Sequence, residues 1–492
     1  MLALVAAILG EASSARAQGN DRSSPTGGRS ALMGNTGVAL GRDGAAPFLN
    51  PATIVRIGEQ SLAFSVNFFS FNYLHFNQWH QPANVDNAQF GNVALSGTGE
   101  ATTAFKALPS TLCLFFTVAG LVSADDDSEL WRRGQQKLAL CLGTVESHEV
   151  SLPALSFNGK TGAGNTAQVQ SVNRNWSRLY VGPTYSVALS DEFSIGASLH
   201  GAYTSDTFAV NGSTVTSATS GAIQSSLGAG GLGHALDIAA ILGTTYHKGP
   251  VTLGASLQAP ALHILGTYAG TEQMQYATGT ANTATLSSGS GDFHAAPPVR
   301  LAVGAGVEGK TLRVEVDGSY DFPQKEAAAS TVNVTTTTLT NGTLTPSSAT
   351  ASYVIPSHGA WNVAAGAEYF LSPSFSVLGG VSTSVTSLGS LSPSLSVGNL
   401  AQERINWLNL SFGIGSYGAA ENLLIGAQVG YGWGQTLAIN PYVLPNDWAV
   451  IDTQSFAALV ILAGSTNLRT LARAMNAVGH VVTEGKPADA PK

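Results

Sequence analysis

The sequence predicts an all-β chain: a 14-stranded antiparallel transmembrane β-barrel with an N-terminal lumenal segment and a short C-terminal periplasmic helix. The first sign is that segments of alternating apolar and polar residues recur along the chain. The second is that they are joined alternately by short and long connections. The third is that the two faces of several segments differ sharply in chemistry. Short connections fall at Leu189 to Glu192, His247 to Pro250, Glu308 to Lys310, Leu371 to Ser374 and Gly418 to Glu421. Between them, Gly/Ser/Thr-rich stretches from Asn211 to Gly233, Thr267 to Asp292 and Pro323 to Ala351 read as long loops. A soluble sandwich has no reason to sort its connections by length, whereas outer-membrane barrels place tight turns in the periplasm and long loops outside.

Taken in order, residues 1–17 read as a secretory signal. Leu2 to Leu9 is apolar and Ala15-Arg16-Ala17 is a small-x-small cleavage site. No Lys or Arg precedes the apolar run, which a start upstream of Met1 would supply. Residues 18–57 are rich in glycine and small residues without sustained period-two alternation. Residues 58–464 hold the strands, expected near 60–74, 107–118, 136–149, 176–189, 192–210, 234–246, 250–266, 294–308, 310–322, 352–371, 373–388, 403–418, 421–438 and 452–463. An even count returns both chain ends to the periplasm, and a barrel this wide needs something in its lumen. In residues 465–492, Leu468, Leu471, Met475 and Val478 recur at helical spacing before a charged, proline-containing end.

The pleat separates two chemistries. From Phe193 one face carries Phe193, Ile195, Ala197, Leu199 and Tyr203, and the other Ser194, Gly196, Ser198, His200, Thr204 and Asp206. From Leu312 the lipid face reads Leu312, Val314, Val316, Tyr320 and Phe322, against Arg313, Glu315, Asp317, Ser319 and Asp321 inward. From Leu423 the apolar face ends in Tyr431 and Trp433, where an interfacial aromatic belt belongs.

Composition excludes other classes. Charged residues are 11% of the chain and no apolar run of about 18 residues follows the leader, so helical spans are not expected. A net charge of −8 does not provide the basic footprint that nucleic-acid binding needs. Two cysteines exclude a disulfide-dense scaffold.

Within residues 18–57, Gly34 and Gly37, then Asp43, the small pair Ala45 and Ala46, and the closing Asn50-Pro51-Ala52 resemble the N-terminal hatch of the FadL/TodX family of outer-membrane transporters of long-chain fatty acids and hydrophobic compounds. Pro298 to Phe322, Trp361 to Val385 with Gly366-Ala367-Glu368-Tyr369, and Ile405 to Trp433 are similar to the family too, so the resemblance covers nearly the whole mature chain. It implies passive uptake of a hydrophobic small molecule, a fatty acid or aromatic hydrocarbon, past a lumenal hatch. Release would be lateral, through a gap at an irregular third strand, here Gln136 to Glu149, where Gly143 could interrupt pairing; the plainer alternative, preferred in a chain this rich in glycine, is an ordinary wall residue. It also implies contact with outer-membrane lipid and lipopolysaccharide, and insertion by the barrel-assembly machinery. Asn50-Pro51-Ala52 would pin the hatch to the wall; the plainer alternative is a turn into the first strand.

Candidate lumen ligand contacts are Arg300 and Arg313, either of which could meet a carboxylate, and His200. The alternative for the arginines is a network with Glu308, Glu315, Asp317 and Asp321 that solvates the barrel interior; for His200 it is a solvated lumen residue. His200 beside Ser198 does not suggest a hydrolase, because an outer-membrane phospholipase presents its catalytic groups to lipid. No catalytic, metal or cofactor site is expected: the ten histidines are scattered, and Asp125-Asp126-Asp127 reads as a solvated turn. Cys113 and Cys141 fall on the inward faces of adjacent strands, where a disulfide is geometrically allowed, against the alternative of two lumen thiols.

Two features depart from the family. The last strand does not end the chain, and Thr331 to Thr350 lacks the apolar character of a capture loop. They keep open a surface-display or adhesion barrel that transports nothing, and behind it a general porin.

Overall fold

A computed structural model describes residues 24–57, 61–76, 98–104, 108–118, 136–161, 164–218, 221–278, 282–391, 403–418, 421–440 and 447–467. The leader, Asp125 to Asp127 and the helical-spacing residues from Leu468 lie outside them.

Nineteen strand segments form one antiparallel sheet of 14 staves, five of them broken in two. They are β1 (Ser61–Phe76), β2 (Thr98–Ala104 and Leu108–Thr117), β3 (Gln136–Thr161), β4 (Gly164–Ala188), β5 (Phe193–Ala218), β6 (Gly221–Lys248) and β7 (Val251–Gln258 and Leu262–Ala277). Then follow β8 (Asn282–His294 and Arg300–Glu308), β9 (Leu312–Asp321 and Gln324–Thr340), β10 (Thr343–Ser357 and Ala360–Ser372), β11 (Phe375–Ser384), β12 (Glu403–Tyr417), β13 (Glu421–Asn440) and β14 (Asp447–Asn467). Pairing from Ser61↔Asn467 to Phe76↔Thr453 joins β1 to β14 and closes the barrel. Closure joins the first and last staves, so neither presents an open edge to a solvent that cannot hydrogen-bond one.

Burial follows the pleat. Leu199, Leu242, Leu253, Val316, Leu410, Phe412 and Leu423 are exposed on the outside, while Ser194, Ser198, Thr204, Asp206, Glu315 and Asp317 are buried within. Tyr431 and Trp433 lie side by side on the outer face, ring centroids 6.1 Å apart.

The stretches read as long loops are largely strand. β3, β5 and β6 run for 26, 26 and 28 residues, well over the roughly 9–11 that cross a bilayer. The Thr/Ser-rich stretch from 331 to 350 forms the β9/β10 hairpin, paired from Ser330↔Tyr353 to Thr340↔Thr343. Its tip is Asn341-Gly342, both residues at positive φ, the dipeptide that closes a two-residue hairpin. Threonine is β-branched and its hydroxyl bonds across the ladder, as Thr331 does with Ser352 at 3.2 Å, so polarity here marks a solvated strand.

Candidate functional site: the lumen and its N-terminal insert

Residues 24–57 are folded inside the barrel, toward the end bearing the short turns. They form two single-turn helices, α1 (Arg29–Leu32) and α2 (Ala46–Leu49), and a 3-10 turn at Pro51–Arg56. No helix this short is stable alone, so the wall must supply the order.

Much of that order comes from two carboxylates on β9. Glu315 accepts the backbone N–H groups of Ala39 and Leu40 at 2.6 and 2.8 Å, and Asp317 those of Gly37 and Val38 at 2.8 and 3.1 Å. A buried hydrogen bond contributes about 0.5–1.5 kcal/mol, so the four together anchor the insert without a single side chain of its own.

A second anchor is Arg29, whose Nε meets Glu368 at 2.8 Å while Nη1 donates to the Leu40 carbonyl at 3.0 Å. Burial works against the charge of Arg29, but the attraction of Glu368 outweighs it and raises its pKa above the ordinary value. Glu368 also accepts from Ser376 at 3.0 Å and from Tyr417.

The motif residues fall where the insert turns or touches the wall. Asp43 accepts from the Ser30 N–H, the Ser30 hydroxyl and the Ala45 N–H at 2.9, 2.9 and 3.1 Å, tying α1 to α2. Asn50 donates to the Val38 carbonyl at 2.6 Å and the wall carbonyl of Thr244 at 3.0 Å, while its side-chain oxygen accepts from the Ala52 N–H at 3.1 Å. The Ala52 carbonyl accepts from the wall hydroxyls Ser186 and Ser194 at 3.2 and 3.1 Å. Pro51 occupies the first position of the 3-10 turn, where its missing N–H costs nothing. Gly34 has φ +73, and a Cβ there would lie 2.7 Å from the Val381 nitrogen.

The wall is carved to receive the insert. Inward glycines face it around the barrel: Gly143 against Phe48, Gly196 and Gly243 against Pro51, Gly254 and Gly304 against Val38, Gly306 against Leu40, Gly366 and Gly380 against Met33, and Gly413 and Gly426 against Leu32. A methyl group at Gly196 would come within 2.5 Å of the Pro51 carbonyl carbon, and one at Gly254 within 2.0 Å of the Val38 oxygen. The high glycine content is in part the space the insert occupies.

The proposed ligand contacts are otherwise engaged. Arg300 is buried against Asp321, with Nη2 at 2.8 Å from Oδ2. Arg313 sits among Glu308 at 2.8 Å, Glu368 at 3.3 Å and the ring of Phe370 at 4.6 Å. Both match the carboxylate-network alternative. His200 is not the solvated residue that the sequence suggested: it is fully buried between Phe48 and Tyr180, ring centroids 5.1 and 5.5 Å away, because the insert covers it. Cys113 and Cys141 are direct register partners, bonded, with Cα atoms 4.2 Å apart.

Beyond the insert, toward the long hairpins, the lumen holds an apolar cluster among buried polar and charged side chains. Val172, Trp176, Phe208, Val210, Tyr268, Phe293, Val332, Val334 and Ile451 form one buried cluster. Val332 and Val334 belong to the hairpin read as lacking apolar character; alternation turns them inward while threonines face water. Arg174 and Arg178 flank Trp176 at 5.9 and 5.6 Å and are held by Asp206 at 2.9 Å and Glu146 at 2.8 Å.

The wall is irregular at β3. Among the described residues, pairing between β2 and β3 runs from Thr117↔Lys137 to Thr111↔Gly143 and no pair follows. On the other side β3 continues along β4 with a bulge at Val145, between Thr144↔Leu179 and Glu146↔Arg178. A cavity of about 190 Å³ adjoins this point, lined by Ser110, Thr144, Ser147, Phe69, Trp407 and Leu459 among others.

Solved structures with this architecture include a FadL homologue and a toluene transporter. A Pseudomonas aeruginosa FadL homologue matches over 91% of this chain and 99% of its own, at 12% identity and a TM-score of 0.51. The chain has the fold of the FadL and TodX barrels. The Pseudomonas putida toluene transporter TodX matches over 90% of this chain and 98% of its own, at 13% identity and a TM-score of 0.54. A deltaS2 mutant of TodX, described as a monoaromatic hydrocarbon channel, gives 90%, 99%, 12% and 0.53. No protein-family model and no curated protein matches the chain. Sequence reasoning placed Glu315 and Asp317 inward but missed their hold on the insert, and missed Thr244, Ser186 and Ser194. The available signal was glycine recurring on the inward face of successive strands near their short-turn ends.

Proposed function

We propose that this protein carries hydrophobic small molecules, fatty acids or aromatic hydrocarbons, passively across the outer membrane. The insert acts as a hatch and release is lateral, beside the Val145 bulge. What supports this reading is the conjunction of an apolar cluster in the lumen, an N-terminal insert folded next to it, and a third stave whose pairing stops short beside a cavity. An apolar solute entering between the long hairpins would move from one apolar contact to the next and leave into lipid without returning to water. The fold likeness to a toluene transporter and a FadL homologue supports the reading. In this orientation the short turns and both chain ends are periplasmic. Arg300, Arg313 and His200 then serve the wall and the hatch rather than the solute. The chain's role is transport, not catalysis.

Deleting Val145 tests the route. The deletion removes the bulged residue while keeping Thr144 opposite Leu179 and Glu146 opposite Arg178. Loss of uptake of labelled fatty acid and toluene by a folded, surface-exposed variant is the expected result. Undiminished uptake would refute lateral release.

A further inference from the structure

Ligand spacing in the sequence gives no metal site, yet three residues remote in the chain meet on the inner wall. Asp237 of β6, His263 of β7 and His294 of β8 each offer a ligand atom, and these atoms all lie within 4.8 Å of one another. Asp237 and His263 are direct register partners beside a register shift, and His263 Nδ1 lies 2.8 Å from Asp237 Oδ1. The rings of His263 and His294 meet edge to face at 4.6 Å. Asp237 is fully buried, and its second oxygen, Oδ2, has no hydrogen-bond partner. One imidazole satisfies one oxygen; the pair alone leaves the other costly and unexplained.

The local chain path brings the three together. β7 is broken at residues 259–261, with Pro260, three residues before His263. β8 is broken at residues 295–299, with Pro297 and Pro298, directly after His294. The cluster therefore sits where adjacent staves change from the insert-filled half to the apolar half, close to buried Ala235, Phe293 and Ala295.

We propose that Asp237, His263 and His294 bind one divalent zinc ion. Two imidazoles and a carboxylate are a donor set suited to this cation, and they leave a coordination position open toward the lumen. Ligands about 2.0–2.2 Å from a tetrahedral ion lie about 3.3 Å from one another, so a modest rotation of the half-buried His294 closes the site. The ion supplies the missing partner of Asp237 Oδ2 and clamps three staves at their breaks.

The test is calorimetric titration of purified, chelator-stripped full-length protein with zinc chloride, alongside His294→Ala, His263→Ala and Asp237→Asn. Expected are about one zinc per chain and an affinity at least ~10-fold weaker in each variant. X-ray absorption of the loaded protein should show nitrogen and oxygen ligands with imidazole scattering. Among the described residues the His294 ring makes no hydrogen bond, so His294→Ala should keep the heat-modifiable mobility of a folded barrel and lose only the zinc-induced rise in Tm. Absence of binding to the wild type, or binding of equal strength in all three variants, overturns the proposal.

Discussion

The two halves of the lumen are filled by different chemistry. Toward the short turns the filling is the chain's own N-terminal segment, held by backbone N–H groups on Glu315 and Asp317, by Arg29 on Glu368 and by Asn50 on Thr244. Toward the long hairpins the filling is side chains of the wall itself, an apolar cluster around Trp176 and Phe293. Directional bonds concentrated on a few acceptors can be released together, whereas an apolar cluster has no single fastening and can admit an apolar guest by rearranging. The first half is built to hold a position; the second is where, on the proposed function, a solute would be accepted.

The largest expected effect separates these halves at their strongest point. Glu315→Ala combined with Asp317→Ala leaves the N–H groups of residues 37–40 without acceptors, at about 1–3 kcal/mol for each buried group. The insert should detach, read as a stepwise conductance in planar bilayers that the wild type lacks, with heat-modifiable mobility retained. Trp176→Ala acts on the other half: a large cavity costs about 3–5 kcal/mol and should lower Tm without raising conductance. If that variant leaked instead, the division of labour between the halves would be wrong.

Gly243→Val probes the fit of insert to wall. Its Cβ would lie 2.0 Å from the Asn50 side-chain oxygen, an overlap costing about 1–3 kcal/mol, seen as faster hydrogen exchange in residues 37–53. Asn50→Ala should cost about 1–2 kcal/mol through lost bonds to Val38, Thr244 and Ala52, with a smaller rise in the same exchange. Gly318→Ala is the control: nothing lies within 4 Å of its Cβ, so stability should change by less than about 0.5 kcal/mol.

The barrel was legible because the pleat imposes a period of two on every stave and the lipid imposes apolarity on one face. Phe193 to Tyr203 and Leu312 to Phe322 display this without help from tertiary contacts. The reach of the staves was harder to read, because above the membrane the outer face meets water and alternation becomes threonine against valine, as at Thr331 to Val334. Asn341-Gly342 was the local signal for that hairpin. In the candidate site, Asn50 was legible as a turn-maker, and Asp43 only through the family resemblance. The hold of Glu315 and Asp317 was not, since an inward carboxylate looks the same whether it meets an arginine or a backbone 275 to 280 residues away in sequence. The Asp237, His263 and His294 cluster was hidden for the same reason: it depends on the register between staves and on strand breaks.

The central claim is tested most directly by uptake of a labelled long-chain fatty acid and of toluene into cells lacking their own transporter. Such cells would express either the full chain or a form without residues 18–52. The account predicts uptake through the full-length protein and a leak of small polar solutes through the shortened one. Folded, surface-exposed full-length protein that admits neither compound would contradict it and leave a display barrel in its place.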